Sequence, residues 1–294
     1  ILVVPGCFDA VTAKVIEKVG FPVAYLSGYG VSAGLLGMPD AGFTTMTEVH
    51  LAARYAANAV DIPMIADADT GYGNAINVMR CVREYIQTGV AGIHIEDQVT
   101  PKRCGHVSGK ELIPLAEAVG KYRAAAKTRD EYDRDFVLIA RTDARGAFGG
   151  GLDEAIKRVN AYREAGADIS FVEAPPSLEE IRRIVNEVPG PLLYNCTGIS
   201  PQLSTKELQD LGFAIVIYPG AGLRPAVAAV YDLVADMKKR GTAAWVDFHK
   251  RMEGHPMKDL NAFLGFPEVR KIEEEFLPEE EVQKKYEATL GYKL

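Results

Sequence analysis

Cysteine is scarce in this chain of 294 residues: four in all, Cys7, Cys81, Cys104 and Cys196, widely separated. That spacing excludes a disulfide framework and a paired-cysteine zinc site, and is simplest in a reducing cytosol, so a cytoplasmic location is expected. Positive charge is short as well. Against 40 Asp and Glu stand 33 Lys and Arg, a formal net charge of −7, which argues against nucleic acid or an anionic membrane as the main partner. No apolar run reaches bilayer-spanning length and no signal-peptide pattern opens the chain, so no membrane role is expected. The chain starts on Ile1 rather than Met, which leaves room for a preceding segment. Nor is there a glycine-rich dinucleotide loop, because the first strand turn reads Val4-Pro5-Gly6-Cys7-Phe8-Asp9.

What is present is alternation. Strand-like runs at Ile1–Val4, Val23–Leu26, Met64–Ala68, Gly92–Glu96, Phe136–Ala140, Ile169–Glu173, Leu192–Asn195 and Ala214–Tyr218 are separated by amphipathic stretches. Val137-Leu138-Ile139-Ala140, apolar at every position, suits a strand buried on both faces of a parallel sheet. Helical patterns such as Ala10–Val19 and Thr205–Leu211 end on glycine, the usual residue just past a helix. Eight βα units predict an α/β TIM (β/α)8 barrel over residues 1–240 rather than an open doubly wound sheet. Residues 241–294 break the repeat. They read as a C-terminal helical extension, with short polar helices around Trp245–Met252, Leu260–Leu264 and Pro278–Leu290 that pack on the barrel or reach a neighbouring subunit.

In a TIM barrel the active site lies at the C-terminal ends of the strands. Those ends carry Ser27-Gly28-Tyr29, Asp67 with Asp69, Glu96-Asp97, Arg141-Thr142-Asp143, Glu173 and Asn195. One such group alone is explained by helix capping or rim pairing; their convergence predicts a common site. Carboxylates from several strands, with no His or Cys between Asp67 and Asp69, suit Mg²⁺ rather than zinc. Arg141 could hold a substrate carboxylate in bidentate fashion, or pair with Asp143 or Glu173. Ser27, Gly28 and Tyr29 offer N–H groups and a hydroxyl for another carboxylate. The long segment Val99–Pro114 reads as a lid. It carries Lys102-Arg103-Cys104-Gly105-His106, where nearby cations are expected to favour the Cys104 thiolate. The remaining cysteines read as packing residues, and His94 as a hydrogen-bonded structural residue.

These residues, with Gly37-Met38-Pro39-Asp40, Asp67-Ala68-Asp69-Thr70-Gly71-Tyr72-Gly73 and His94-Ile95-Glu96-Asp97-Gln98, resemble the isocitrate lyase/phosphoenolpyruvate mutase superfamily along nearly the whole chain. The Cys-Gly-His loop resembles the lyase branch, which includes 2-methylisocitrate and 2,3-dimethylmalate lyases. The resemblance implies that Asp67 and Asp69 hold Mg²⁺, or Mn²⁺ in its place, with Asp40 and Glu96 acting through water. It implies that Ser27, Gly28 and Tyr29 grip the 2-oxo acid, and that Arg141, Glu173 and Asn195 frame a small carboxylate substrate under Gly105 and His106. A retro-aldol cleavage follows, with Tyr25 as base and Cys104 as the acid that protonates carbon. A homotetramer, a dimer of dimers exchanging a C-terminal helix, is also implied. Alternatives are an oxaloacetate hydrolase, a phosphonate-acting member, or a barrel that only binds a dicarboxylate. Two departures weigh on the substrate. The segment Asn195-Cys196-Thr197-Gly198-Ile199-Ser200-Pro201 lacks the glutamate usual in the isocitrate and methylisocitrate lyases, and Phe171 replaces a bulkier tryptophan, expected to leave space at C2.

Overall fold

Eight parallel strands form the barrel in a computed structural model that describes residues 1–291. They are β1 Leu2–Cys7, β2 Ala24–Leu26, β3 Met64–Asp67, β4 Gly92–Glu96, β5 Val137–Thr142, β6 Ile169–Val172, β7 Leu193–Asn195 and β8 Ile215–Tyr218. The hydrogen-bonded order runs β6-β5-β4-β3-β2-β1-β8-β7, and a parallel bridge from Ser170 to Leu192 joins the two edges. The expected barrel is thus observed. Period-two alternation builds two cores. Val4, Tyr25, Ile65, Ile139, Phe171, Leu193, Ile215 and Ile217 fill the inside of the ring. Their neighbours in sequence, among them Leu26, Met64, Ala66, Ile93, Ile95, Leu138 and Ala140, face the surrounding helices.

Helix ends follow the local chemistry. Asp9 and Thr45 close capping boxes at Ala10–Val19 and Met46–Ala57, while Gly20 and Gly212 end their helices in the left-handed conformation, φ 99° and 105°. One stretch differs from the sequence reading. After β2 the chain makes a short helix, Gly28–Val31, and a π-helical turn, Ser32–Leu36, where glycine-rich sequence carries no amphipathic period.

The chain divides into two compact units, Ile1–Ala226 and Val227–Leu294. The helix Leu223–Arg240 begins in the first and runs into the second, and it leaves Val227, Val230, Tyr231 and Val234 exposed. The second unit continues with helices at Thr242–Met252, Leu260–Leu264, Phe266–Phe276 and Glu279–Ala288. Phe266–Phe276 was not foreseen, because Gly265 and Pro267 read as breakers although proline is tolerated in a first helical turn. Among the described residues no helix is long and apolar enough to cross a membrane.

Candidate active site

A cavity of about 260 Å³ opens at the C-terminal ends of the strands. It is lined by Tyr25, Ser27, Tyr29, Asp40, Asp67, Cys104, Gly105, His106, Arg141, Glu173 and Asn195, so the structure brings these predicted residues together. Asp69 and Glu96 are buried and reach the cluster through Lys102 and Arg141. Gly28 lies so close to Asp67 that a Cβ there would sit 2.6 Å from its Oδ2. Backbone strain concentrates here too: Asp69 and Ala174 take positive φ, 47° and 59°, directly after the ends of β3 and β6.

The acidic side is built from β3 and β4. Burial raises the Asp67 carboxyl, but His94, which is protonated where Asp67 titrates, then Lys102, Arg141 and the Asp69 N–H outweigh it and hold it at about 2. At Asp69 burial wins and pushes the carboxyl up to about 6, and Glu96 is pushed well above the usual carboxylate range for the same reason. The Lys102 ammonium lies 2.6 Å from Asp40 and 2.7 Å from Asp69. Among the described residues no three His, Cys, Asp or Glu side chains are spaced to hold an ion directly. The donor chemistry nevertheless fits a hydrated Mg²⁺, which takes oxygen ligands, one or two carboxylates and several waters. Glu96 Oε1 is buried without a partner among the described residues, and Glu96 Oε2 and Asp69 Oδ1 meet only the Arg141 and Lys102 cations, which leaves lone pairs that such waters or the ion would engage.

Arg141 takes the ion-pair alternative. Its Nε and Nη2 donate to Asp143 at 3.0 and 3.1 Å, and Nη2 lies 3.2 Å from Glu96 and 3.3 Å from Glu173. Its guanidinium rests over Phe171 at 5.3 Å, and Phe171 is fully buried. The expectation that Phe171 leaves room beside the substrate is therefore corrected: its ring supports Arg141 and His94 from below. Behind Arg141, Asp97 accepts from Thr142 Oγ1 at 2.6 Å, Tyr162 at 2.7 Å, Arg158 at 3.2 Å and the Asp143 N–H at 3.0 Å. That buried hub fixes the end of β5.

The lid is a hairpin. Val99 N–H donates to Glu111 at 2.8 Å, Gln98 bridges Leu112, and Gln98 braces Arg103 through both its N–H and its C=O. The lid delivers Cys104, Gly105 and His106 to the cavity. His106 Nε2 lies 3.1 Å from Glu173 and 3.3 Å from Asn195, and Ile199 N–H donates to its Nδ1 at 3.4 Å. The Nδ1 therefore accepts, and Nε2 carries the proton toward Glu173. One expectation is reversed: burial raises the Cys104 thiol, and Lys102, meant to lower it, is engaged by Asp40 and Asp69. A protonated thiol suits a general acid. Tyr25, the candidate base, is tied to a neighbour. Burial, then Asp67, raises its phenol, and it lies 2.8 Å from His94 Nε2, whose ring burial lowers to about 4. Tyr25 thus donates to a neutral His94. Cys7, Cys81 and Cys196 are buried and free, as packing residues should be.

Sequence pattern did not single out Lys110 or Arg224. Arg224 lines the cavity and, among the described residues, has no ion-pair partner; its position at the start of a helix after the glycines following β8 was the available signal.

The arrangement has known counterparts. A model of the phosphoenolpyruvate phosphomutase family matches residues 1–238. The 2,3-dimethylmalate lyase of Eubacterium barkeri is 46% identical over 278 residues, 94% of this chain and 93% of that protein. The 2-methylisocitrate lyase of Aeropyrum pernix is 43% identical over 244 residues, 82% of this chain and 77% of that one. The structure of oxaloacetate acetylhydrolase in complex with the inhibitor 3,3-difluorooxalacetate matches with a TM-score of 0.85 and 35% identity, covering 94% of this chain and 92% of that chain. Barrel, strand-end carboxylates and relatives agree that the chain is an enzyme and belongs to the phosphoenolpyruvate phosphomutase family, within the PEP mutase/isocitrate lyase superfamily.

Proposed function

We propose that the protein is a carbon–carbon lyase that cleaves a C2-substituted 2-hydroxy acid of the 2,3-dimethylmalate type into pyruvate and propionate. The observation that carries this reading is the Cys104 thiol, which lines one cavity with Asp40, Asp67 and Glu173 at the strand ends. Asp67 and Asp69, with Asp40 and Glu96 through water, would hold Mg²⁺ or Mn²⁺. Bound there, the ion would lower the pKa of the substrate hydroxyl and offset charge on the 2-oxo product. Tyr25 takes the hydroxyl proton as its own passes to His94 Nε2, 2.8 Å away, leaving an imidazolium with Nδ1 3.7 Å from Asp67. The C2–C3 bond breaks, C2 becomes a carbonyl, and its electron pair stays on C3 as an enolate-type dianion. Cys104 protonates that carbon, and Arg141 lies nearby to offset its charge. Ser27 and the N–H groups of Gly28 and Tyr29 receive the pyruvate carboxylate, while Asn195, Glu173 and His106 frame the other product.

One observation favours a third carboxylate, as in 2-methylisocitrate: Arg224 lines the cavity with no ion-pair partner among the described residues. The test is 2-oxo acid release from 2,3-dimethylmalate and 2-methylisocitrate with Mg²⁺, and again in EDTA. Release from dimethylmalate alone supports the dicarboxylate reading, and release from methylisocitrate with succinate assigns Arg224 the third carboxylate. Silence on both, with oxalate and acetate formed from oxaloacetate, would replace the lyase by a hydrolase. Activity persisting in EDTA would remove the metal. We further propose a cytoplasmic homotetramer in which the exposed apolar face of Leu223–Arg240 is covered by a second copy, a state that sedimentation would report.

A further inference from the structure

Lys110 is a buried lysine, 4% exposed, and no carboxylate pairs with it among the described residues. A cation in that position must find other partners. It finds two backbone carbonyls of its own lid: its Nζ donates to Gly105 O and, at 3.2 Å, to Val107 O. Both carbonyls belong to one tight turn, closed by Val107 N–H donating to Cys104 O at 2.9 Å. The ammonium is wedged from the other side, because a Cβ on Gly146 would lie 3.2 Å from Nζ, and Phe148 N–H donates to Lys110 O at 2.9 Å.

The consequence lies in one peptide plane. The Gly105–His106 peptide is trans, so its N–H points opposite to its C=O. With the carbonyl turned onto Lys110, the His106 N–H points away from it, and that N–H acts to lower the Cys104 thiol against the effect of burial. We propose that Lys110 is a positioning residue: it fixes the Cys104–Val107 turn so that the thiol, Gly105 and His106 reach the cavity in one orientation. The inference deepens the lyase reading and rests on it only for what the turn does to turnover. No helix or strand covers residues 102–110, so no regular hydrogen-bond ladder orders this turn. A charge caged in the loop itself supplies that order.

The test compares amide hydrogen exchange over residues 102–112 in the wild type, Lys110→Ala and Lys110→Met. Loss of two charge-assisted hydrogen bonds should speed exchange there by about ten- to a hundred-fold while the barrel strands stay protected. In Lys110→Ala, n-propylammonium chloride should restore protection saturably, and tetramethylammonium chloride at equal ionic strength should not. A lysine that merely fills space would show no such selectivity. If Lys110→Ala cannot be recovered folded, the Lys110→Met comparison decides alone, and wild-type exchange in that variant overturns the proposal. Equal effects of the two salts overturn it as well. On whichever carboxylate the wild type cleaves, kcat of Lys110→Ala should fall and return with the amine. A wild type inactive on every carboxylate sinks the lyase reading and leaves the exchange result standing.

Discussion

Gly105→Ala should disable the lid by overlap alone. The φ of Gly105 lies outside the left-handed region, so alanine meets no backbone penalty there. Its Cβ, however, would fall 2.4 Å from Arg141 Nη2, 2.4 Å from Glu173 Cγ and 2.8 Å from Asp143 Oδ1. Restoring ordinary contact near 3.4 Å requires a retreat of about 1 Å, and Arg141 cannot yield because Asp143 holds it in a fork. The lid therefore moves, taking Cys104 and His106 with it. A 1 Å misplacement of a catalytic group costs about a hundred-fold, so kcat/KM for 2-oxo acid release should fall by that order. The thermal midpoint should stay near the wild type, since the barrel is untouched. Gly120→Ala is the control: its Cβ meets nothing within 4 Å, and in a helix interior alanine is better than glycine by about 1 kcal/mol. A fully active Gly105→Ala enzyme refutes the steric reasoning.

Cys104→Ser should lower turnover about a hundred-fold or more while substrate binding by calorimetry stays near wild type, because the serine hydroxyl is a poor acid; surviving turnover would place the proton donor elsewhere. Asp97→Asn removes the charge that faces Arg158 and offers an N–H to groups that are already donors, so urea unfolding should show a loss of about 3 kcal/mol. An unchanged midpoint would mean the hub can repack. For Glu173, burial raises the carboxyl, but Arg141, His106 and Asn195 outweigh it and hold it at about 2, below its ordinary 4.5. A depressed carboxylate stabilises the fold above pH 4.5 and loses that contribution as pH falls toward 2. The stability gap between wild type and Glu173→Gln should therefore close across that window; a gap constant from pH 5 to 2 contradicts it.

Elements with a strong period were legible in the sequence. The barrel followed from apolar strands and glycine-ended helices, and the helices Ala10–Val19 and Thr205–Leu211 match the reading residue for residue. Most candidate site residues were legible because barrel topology assigns every strand end to one face. What stayed hidden was partnership. Arg141 reads equally as a substrate clamp or an ion pair until Asp143, Glu96 and Glu173 are seen around it. The Cys104 thiol was misjudged because adjacency in sequence to Lys102 says nothing of where that ammonium goes. Lys110 carries no pattern at all, since its partners are backbone carbonyls, which every residue has.

The electrostatics of the strand ends connect the lid to the substrate. Asp67, Asp69, Glu96, Asp143 and Glu173 are buried together, and among the described residues Lys102 and Arg141 are the lysine and arginine that ion-pair with them. Five carboxylates against two cations leave a deficit, and burial answers it in part by raising Glu96, Asp69 and Asp143 toward protonation. Lys102 comes from the Val99–Pro114 loop, so that loop supplies one of the two cations paired with these carboxylates. A substrate that brings two carboxylates of its own deepens the deficit, and it can enter only with further positive charge. Arg224 at the mouth offers one such charge, and a divalent cation beside the carboxylates of Glu96 and Asp69 would offer two. On that reasoning the dianionic substrate and the metal should bind with positive cooperativity, each tightening the other by the same factor. Calorimetric titration of pyruvate or oxalate at increasing Mg²⁺ measures that factor, and affinities independent of Mg²⁺ would mean that the protein's own cations suffice.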